Sequence, residues 1–477
     1  MHANFIAGEW RLGAAAAPDV NPSDTTDVIG EYAQAEARDV TLAAQAAAAA
    51  FPAWSRSTPQ QRAEVLETIA SELLARRAEL ADLLAREEGK TLAEAHGEVT
   101  RAGQIFRFYA GEALRPAGEY QHSLRPDVEV EVVREPVGVI GIVTPWNFPL
   151  VIPAWKIAPA LAFGNCVVFK PAELVPACAW ALTEIIARAG LPPGVFNLVM
   201  GAGAVVGAAL VNEPAVGAIS FTGSMSVGHG ILAAAARRAA KVQLEMGGKN
   251  PLVVLADADL ETAVRVALEG AFFSTGQRCT ASSRLIVAEA IHERFVAGLI
   301  EAMRAQVIDD ARKPGTTIGP VVDARQLAQD LSYLELGKAE GAHLAAGGAT
   351  LQRAHPGFYL SPALFTETRN EQRLNQEEIF GPVAGVIRVR DYEEALATAN
   401  ASRFGLCAGI CTTSLKYARH FQRCADAGMV MVNLPTAGID YNAPFGGRKA
   451  SGYGAKELGS AAREFYTVSK TAYVRAG

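Results

Sequence analysis

Residues 137–173 read VGVIGIVTPWNFPLVIPAWKIAPALAFGNCVVFKPAE, and the architecture follows from how they alternate. Two apolar runs, 137–143 and 166–169, flank a segment of helical length at 151–163. Short apolar runs bounded by Gly and Pro suit buried strands, and a dozen residues between two such runs suit a crossover helix. The same stretch is the most membrane-like in the chain, yet Pro145, Pro149, Pro153, Pro159 and Lys156 interrupt it. Each proline removes a backbone donor and crowds the preceding turn, which argues against a spanning helix.

The rhythm continues outward. Strand-like runs at 195–199 and 216–221 are separated by helical segments at 175–189 and 203–212. This predicts βαβ units in a parallel sheet covered on both faces. A second series starts at 251–255 and continues through 284–288, 343–346 and 384–389 to 428–432, which predicts a second α/β lobe. Upstream, residues 38–114 read as helices, with an Ala-rich run at 42–50 and an amphipathic stretch at 59–88. Residues 126–135, PDVEVEVVRE, alternate like a half-exposed strand, and 465–474, FYTVSKTAYV, form an isolated strand. Two stray strands outside two lobes suit a small bridging sheet that another subunit completes. No fixed-period repeat and no long linker is visible.

The chain has 477 residues, a length that suits about three domains of roughly 150 residues each. Its formal charge of −6 argues against nucleic acid or an anionic membrane as a general partner. Six cysteines in so long a chain make no disulfide framework and suit a reducing compartment. The start, MHANFIAGEWRL, has no basic segment followed by a long apolar one, so no secretory signal and a cytoplasmic location are expected.

Several residues offer chemistry. Cys279 sits in FFSTGQRCTASSR behind a glycine and among small polar residues. A thiol attacks as thiolate, and backbone amides at a tight turn would favour that form; the alternative is an inert buried thiol. Glu245, in VQLEMGGKNP, is an acid inside an apolar run. Burial would raise it toward the range of a general base, whereas pairing with Lys249 would make it structural. Asn147, in TPWNFP, lies between prolines that fix its loop, so its amide suits either an oxyanion or a turn cap. Lys170 and Glu173, in VVFKPAE, follow a predicted strand, where ligands of parallel sheets bind; they could hold two ribose hydroxyls or simply face solvent. Gly223 and Ser224, in ISFTGSMSVG, mark a strand, a turn and a helix start, which favours a phosphate.

Two decoys are set aside. GAGAVVG at 201–207 is one residue too long for the dinucleotide glycine fingerprint. Cys407, Cys411, His420 and Cys424 could be strung into a metal site, but GLCAGICTT reads as a strand, and four residues of strand span about 13 Å. No metal is expected, and no Ser–His–Asp set can be assembled.

Taken together, TPWNFP, FKPAE, FTGS, LEMGGKNP, STGQRCTAS, EEIFGP (377–382) and PFGGRKASGYG (444–454) resemble the motif blocks of the aldehyde dehydrogenase superfamily, in the family's order and across nearly the whole chain. The resemblance implies an α/β fold of two Rossmann-like lobes plus a small β oligomerisation sheet. It divides the chain into an NAD(P)-binding domain (1–114 and 137–246), a catalytic domain (247–450) and bridging elements (115–136 and 451–477). It implies NAD or NADP as cofactor, bound without the usual glycine fingerprint. By position, Lys170 and Glu173 would hold the adenosine ribose, Gly223 and Ser224 the pyrophosphate, and Glu378 the nicotinamide ribose, with Phe380 beside the nicotinamide. Thr144, Pro145, Trp146, Pro171, Gly203, Gly207, Phe221, Thr222, Met246 and Gly247 would complete the cofactor site.

The same resemblance implies a reaction. Cys279 would attack the aldehyde carbon, and the Asn147 side chain with the Cys279 N–H would hold the oxyanion. Hydride loss would leave a thioester, which Glu245 would hydrolyse by activating water. A homodimer or homotetramer acting on a small aldehyde is expected.

Within the family, PLVIPAWKIAPAL (149–161), FFSTGQRCTASSR (272–284) and 431–454 are most similar to bacterial enzymes that oxidise α-ketoglutarate semialdehyde (2,5-dioxovalerate) to 2-oxoglutarate. Succinate or glutarate semialdehyde are the alternatives. One departure stands out: relatives that take succinate semialdehyde, and one subgroup of those that take α-ketoglutarate semialdehyde, carry an Arg where this chain has Trp155. A substrate carboxylate would then need another cation, with Arg101 foremost, and Arg278 and Arg284 behind it. Phe148, Ile152, Trp155, Ile439 and Phe445 would wall the substrate tunnel. Two other classes compete: a catalytically silent structural or binding protein on this fold, and an esterase using the same thiol.

Overall fold

A computed structural model describes residues 1–115 and 118–475. The expected bridging segments 115–136 and 451–477 therefore each include two residues outside the described set. Two large sheets and a small three-stranded one organise the described residues, with two two-stranded sheets beside them.

The first large sheet has a parallel core of Phe196–Leu198, Cys166–Lys170, Val139–Val143, Val216–Gly223 and Lys241–Met246, in that spatial order. The apolar runs read from 137–221 are these strands, buried along most of their length as parallel strands covered on both faces are. Helices Val151–Ala162 and Pro176–Arg188 make the crossovers. The expected helix at 203–212 begins instead as a π turn, Gly203–Gly207, and becomes α only at Ala208–Asn212.

Two parts of this sheet were not anticipated. Lys241–Met246 carries Lys, Gln and Glu at alternate positions, a poor strand pattern, yet Gln243 is buried because its amide donates to the Ala455 and Lys456 carbonyls. At the edges, the hairpin of Asn4–Ile6 and Glu9–Arg11 caps one side, and Gly452–Tyr453 pairs antiparallel with Lys241–Met246 on the other. The latter places Gly452–Tyr453 at the edge of the first large sheet.

The second sheet runs His343–Ala346, Ala363–Thr368, Val383–Val389, Ser282–Ala288, Asn250–Val254, Cys407–Cys411 and Met429–Val432. All neighbours are parallel except the first pair. The run at 343–346 is thus an antiparallel edge strand. GLCAGICTT does contain a central strand, Cys407–Cys411, and among the described residues no three His, Cys, Asp or Glu side chains gather as metal ligands.

The small antiparallel sheet joins Glu119–His122, Val128–Pro136 and Thr467–Arg475, so the two stray strands pair with each other. The upstream region is four helices: Ala37–Trp54, Pro59–Ala75, Arg77–Glu88 and Leu92–Ala113. The last packs on Pro59–Ala75 and on Val151–Ala162. Among the described residues, no helix is long and apolar enough to cross a membrane.

Candidate active site

A cavity of about 530 Å³ opens at the carboxyl ends of the first sheet's strands, where ligands of open parallel sheets bind. Val139–Val143 delivers Thr144, Pro145, Trp146 and Asn147, and Cys166–Lys170 delivers Lys170 and then Glu173. Val216–Gly223 delivers Phe221, Thr222, Gly223 and Ser224, and Lys241–Met246 delivers Glu245, Met246 and Gly247. The second lobe closes the cavity with Cys279, Glu378 and Phe380. Trp155 and Phe445 border it as an aromatic pair with centroids 5.2 Å apart.

Cys279 follows a strained turn. Ser274 (φ 51°) and Thr275 (φ 56°) both adopt the left-handed conformation, ahead of Gly276 at φ 65°. Two consecutive side-chain-bearing residues there cost about 1 kcal/mol or more each, so the surroundings must impose the turn. Thr275 Oγ1 donates to the Gly319 carbonyl at 3.1 Å, while the Ser274 N–H and hydroxyl donate to Glu94 at 2.7 and 2.8 Å. Downstream, Asn250 Nδ2 donates to the carbonyls of Cys279 (2.8 Å) and Ala281 (2.9 Å). The thiol keeps partial access to the cavity but sits in dense surroundings. Burial, reinforced by Glu378 and Glu245, pushes it up to about 12, against the backbone N–H groups of Cys279 and Thr280. The expected amide contribution is present but outweighed, so the resting group is a thiol.

Glu245 is buried and makes no ion pair with Lys249. Its Oε2 accepts the Gly447 N–H at 3.2 Å. Burial, with the Glu457 carboxylate adding, holds it well above the usual carboxylate range, while Lys456 opposes the shift. A carboxyl raised in this way takes up a proton more readily than a free one, which is the character of a general base. Lys249 is buried separately, and burial brings it down to about 7.

Asn147 is 2% exposed, and its Nδ2 donates to the Gln277 carbonyl at 2.9 Å, two residues before the thiol. Its own carbonyl accepts from the buried Lys90 ammonium at 2.7 Å. Lys90 also donates to Glu98 at 2.6 Å, and Glu98 accepts the N–H groups of Leu150 (2.9 Å) and Val151 (3.1 Å).

The cavity's other end offers unspent polar groups. The hydroxyls of Thr144 and Thr222 are buried without a hydrogen-bond partner. Lys170 donates to the Pro171 carbonyl at 2.8 Å, and burial lowers it to about 8 despite Glu173. Ser224 begins the 12-residue helix Met225–Ala236 without capping it through its side chain, leaving first-turn N–H groups toward the cavity. Glu378 accepts the Gly248 N–H at 2.8 Å, and burial raises it to about 7. A Cβ at Gly247 would run into the Glu378 carboxyl, so glycine here leaves that carboxyl in place. Phe380 stands edge-on to Trp146, with centroids 5.3 Å apart. A hydroxyl-and-phosphate ligand with a flat ring suits this donor set.

Not every expected residue reaches the cavity. Pro171 only serves Lys170, and Gly203 donates its N–H to Glu173 from behind the wall, with Gly207 one turn beyond. Ile152 is 1% exposed core, and Phe148 and Ile439 pack on that core. Arg278 pairs with Glu94 at 3.0 Å, which removes it as a free cation. Arg284 is buried and donates to the carbonyls of Lys249, Thr398 and Ala399. Arg101 lies over the Tyr441 ring at 5.4 Å and does not border this cavity.

Other lining residues escaped the sequence. Val322, Asp323, Arg325, Gln326 and Gln329 come from the start of helix Ala324–Ala339, whose only written signal is the Asp323 cap. Gln326 and Gln329 donate to the Ile379 carbonyl at 2.9 and 2.7 Å, fixing the loop between Glu378 and Phe380.

An aldehyde dehydrogenase family model matches residues 10–472, and the chain belongs to the aldehyde dehydrogenase family. It is 44% identical to the alpha-ketoglutaric semialdehyde dehydrogenase of Bacillus subtilis, over 99% of this chain and 98% of that one. It is 41% identical to the 2,5-dioxopentanoate dehydrogenase of Saccharolobus solfataricus, over 98% of both. Among solved structures, betaine aldehyde dehydrogenase from Staphylococcus aureus in complex with NAD+ superposes with a TM-score of 0.97 at 35% identity, covering all of this chain and 95% of that one.

Proposed function

We propose that this protein oxidises α-ketoglutarate semialdehyde (2,5-dioxovalerate) to 2-oxoglutarate with NAD or NADP. The carrying observation is one cavity in which the Cys279 thiol, the Glu245 carboxyl and the unspent donors around Lys170 and Ser224 all meet. The names of the two relatives above support the substrate.

Lys170 and Glu173 would hold the adenosine ribose, the Ser224 helix start the pyrophosphate, and Glu378 the nicotinamide ribose. When bound, the nicotinamide supplies a hydride acceptor. Cys279 gives its proton to solvent water and attacks the aldehyde carbon, forming a thiohemiacetal whose oxygen is held by Asn147 and the Cys279 N–H. Loss of hydride leaves a thioester on Cys279. Glu245 then takes a proton from water, which attacks the thioester carbon and releases the acid and the thiol.

Arg101 is the preferred anchor for the distal carboxylate, because Arg278 and Arg284 are committed elsewhere. The domain division is 1–114 with 137–246 for the cofactor and 247–450 for catalysis. Bridging elements at 115–136 and 451–477 support a homodimer or homotetramer; the small sheet exposes Tyr120, Val133, Val468 and Tyr473. Free cysteines throughout suit the cytoplasm.

A panel of 2,5-dioxovalerate, succinate semialdehyde, glutarate semialdehyde, glycolaldehyde and benzaldehyde, each with NAD and NADP, tests the proposal. The highest kcat/KM should fall on 2,5-dioxovalerate. A preference for a neutral aldehyde would overturn the substrate, and no cofactor reduction with any aldehyde would overturn the activity.

A further inference from the structure

Asn147 belongs to the first lobe and Cys279 to the second, so something must hold the amide in register with the thiol across the boundary. The helix Leu92–Ala113 touches both loops through two acids one turn apart. Glu98 accepts the N–H groups of Leu150 and Val151, capping a helix that has no side-chain cap of its own, and it holds Lys90 against the Asn147 carbonyl. Glu94 turns one oxygen to its own helix cap at Thr91 and the other to Ser274 and Arg278 on the cysteine loop. Asn147 then closes the path by donating to Gln277. The hydrogen bonds thus form a ring: helix, Glu98, Lys90, Asn147, Gln277, cysteine loop, Glu94, helix.

We infer that Glu94 and Glu98 are positioning residues that register the Asn147 amide against the Cys279 loop, so that both oxyanion donors meet one oxygen atom. This rests on the roles given to Cys279 and Asn147 above. Neither acid borders the cavity, so each acts through the groups it holds. Burial works to lower Lys90, but the Glu88 and Glu98 carboxylates outweigh it and keep the ammonium charged, which the ring requires. Glu94 is tied to the left-handed Ser274, so losing its grip frees a turn that is otherwise unfavourable.

Glu94→Gln separates positioning from helix stability. Glutamine still serves as the third-residue partner of the Thr91 capping box. With its oxygen toward Thr91, its amide faces the Ser274 N–H, donor against donor. The test is the pre-steady-state burst of reduced cofactor with 2,5-dioxovalerate and NAD in the purified full-length protein. The burst rate constant should fall between about tenfold and a hundredfold, because an ångström of misplacement is enough for that. Its amplitude, and the rate at which iodoacetamide alkylates Cys279, should stay within about twofold of the parent, since the variant keeps the thiol itself.

Opening the ring at either acid has the same consequence, so Glu94→Gln with Glu98→Gln should be no slower than the worse single variant. Multiplying effects would mean two independent helix caps and would overturn the inference, as would an unchanged burst rate constant or a loss confined to amplitude. Should Glu98→Gln fail to fold, Ser274→Ala weakens the ring from the loop side and carries the same expectation. Should the parent show no burst, the same rate constant is read from a single turnover with enzyme in excess, and a parent that reduces no cofactor with any aldehyde would remove the underlying reaction instead.

Discussion

Asn147 spends one of its two amide hydrogens on the Gln277 carbonyl, at 2.9 Å, within the segment that carries Cys279. The second hydrogen remains for a developing oxyanion, and the first fixes where it points. Asn147→Ala should lower kcat by about a hundredfold to a thousandfold, the usual loss for one oxyanion donor, with little change in KM for the aldehyde. Steady-state kinetics at saturating cofactor check this. A loss appearing only in KM would place Asn147 in substrate binding.

Substrate choice should hinge on Arg101. Arg101→Ala is expected to raise KM for 2,5-dioxovalerate about tenfold, roughly 1.4 kcal/mol of lost attraction, and to leave benzaldehyde unaffected. Equal effects on both aldehydes would leave the carboxylate without an anchor at this residue.

Cofactor choice should hinge on Glu173. Its carboxylate accepts the Gly203 N–H and sits beside Lys170, where it can bond a 2′-hydroxyl and repel a 2′-phosphate. Glu173→Gln should shift the NAD-to-NADP ratio of kcat/KM toward NADP by about tenfold. An unchanged ratio would mean that the discrimination lies elsewhere.

Burial of Glu245 carries a cost in stability with a defined pH dependence. Its folded pKa is raised by burial and by Glu457, so the folded chain keeps a proton that the unfolded chain releases above about 4.3. Stability from this group is therefore complete below that pH and is lost as pH rises through the folded value. Glu245→Gln cannot lose a proton, so its urea midpoint should match the parent at pH 4 and exceed it increasingly toward pH 8. A gap that narrows with rising pH would contradict the shift.

Thiol alkylation gives an independent reading of the same environment. With Cys279 pushed up to about 12, the thiolate fraction should rise about tenfold per pH unit throughout the accessible range. Iodoacetamide inactivation of the cofactor-free protein should follow that slope between pH 7 and 10. A plateau near pH 8 would show a far lower thiol pKa.

Much of this was legible in the residues, and the exceptions have physical causes. Strands such as Val139–Val143 and Cys166–Lys170 are buried on both faces, so they stand out as unbroken apolar runs. Lys241–Met246 was hidden because Gln243 and Glu245 are buried polar groups satisfied by distant partners. The three-residue hairpin strands at Asn4–Ile6 and Glu9–Arg11 are too short to show a period. Motif residues on strand ends converged on the cavity, whereas Gln326, Gln329, Glu94 and Glu98 lie on helices whose sequence reveals a face but not its neighbour. The Arg278 ion pair was hidden for the same reason, since its partner Glu94 lies 184 residues away in the chain.

The central claim is covalent catalysis at Cys279 with release by Glu245. Glu245→Gln mixed with 2,5-dioxovalerate and NAD, quenched in acid and digested, should give a Cys279 peptide carrying the acyl group, with one reduced cofactor formed per active site. An unmodified Cys279 peptide alongside continued turnover, or an acyl group on another residue, would contradict it.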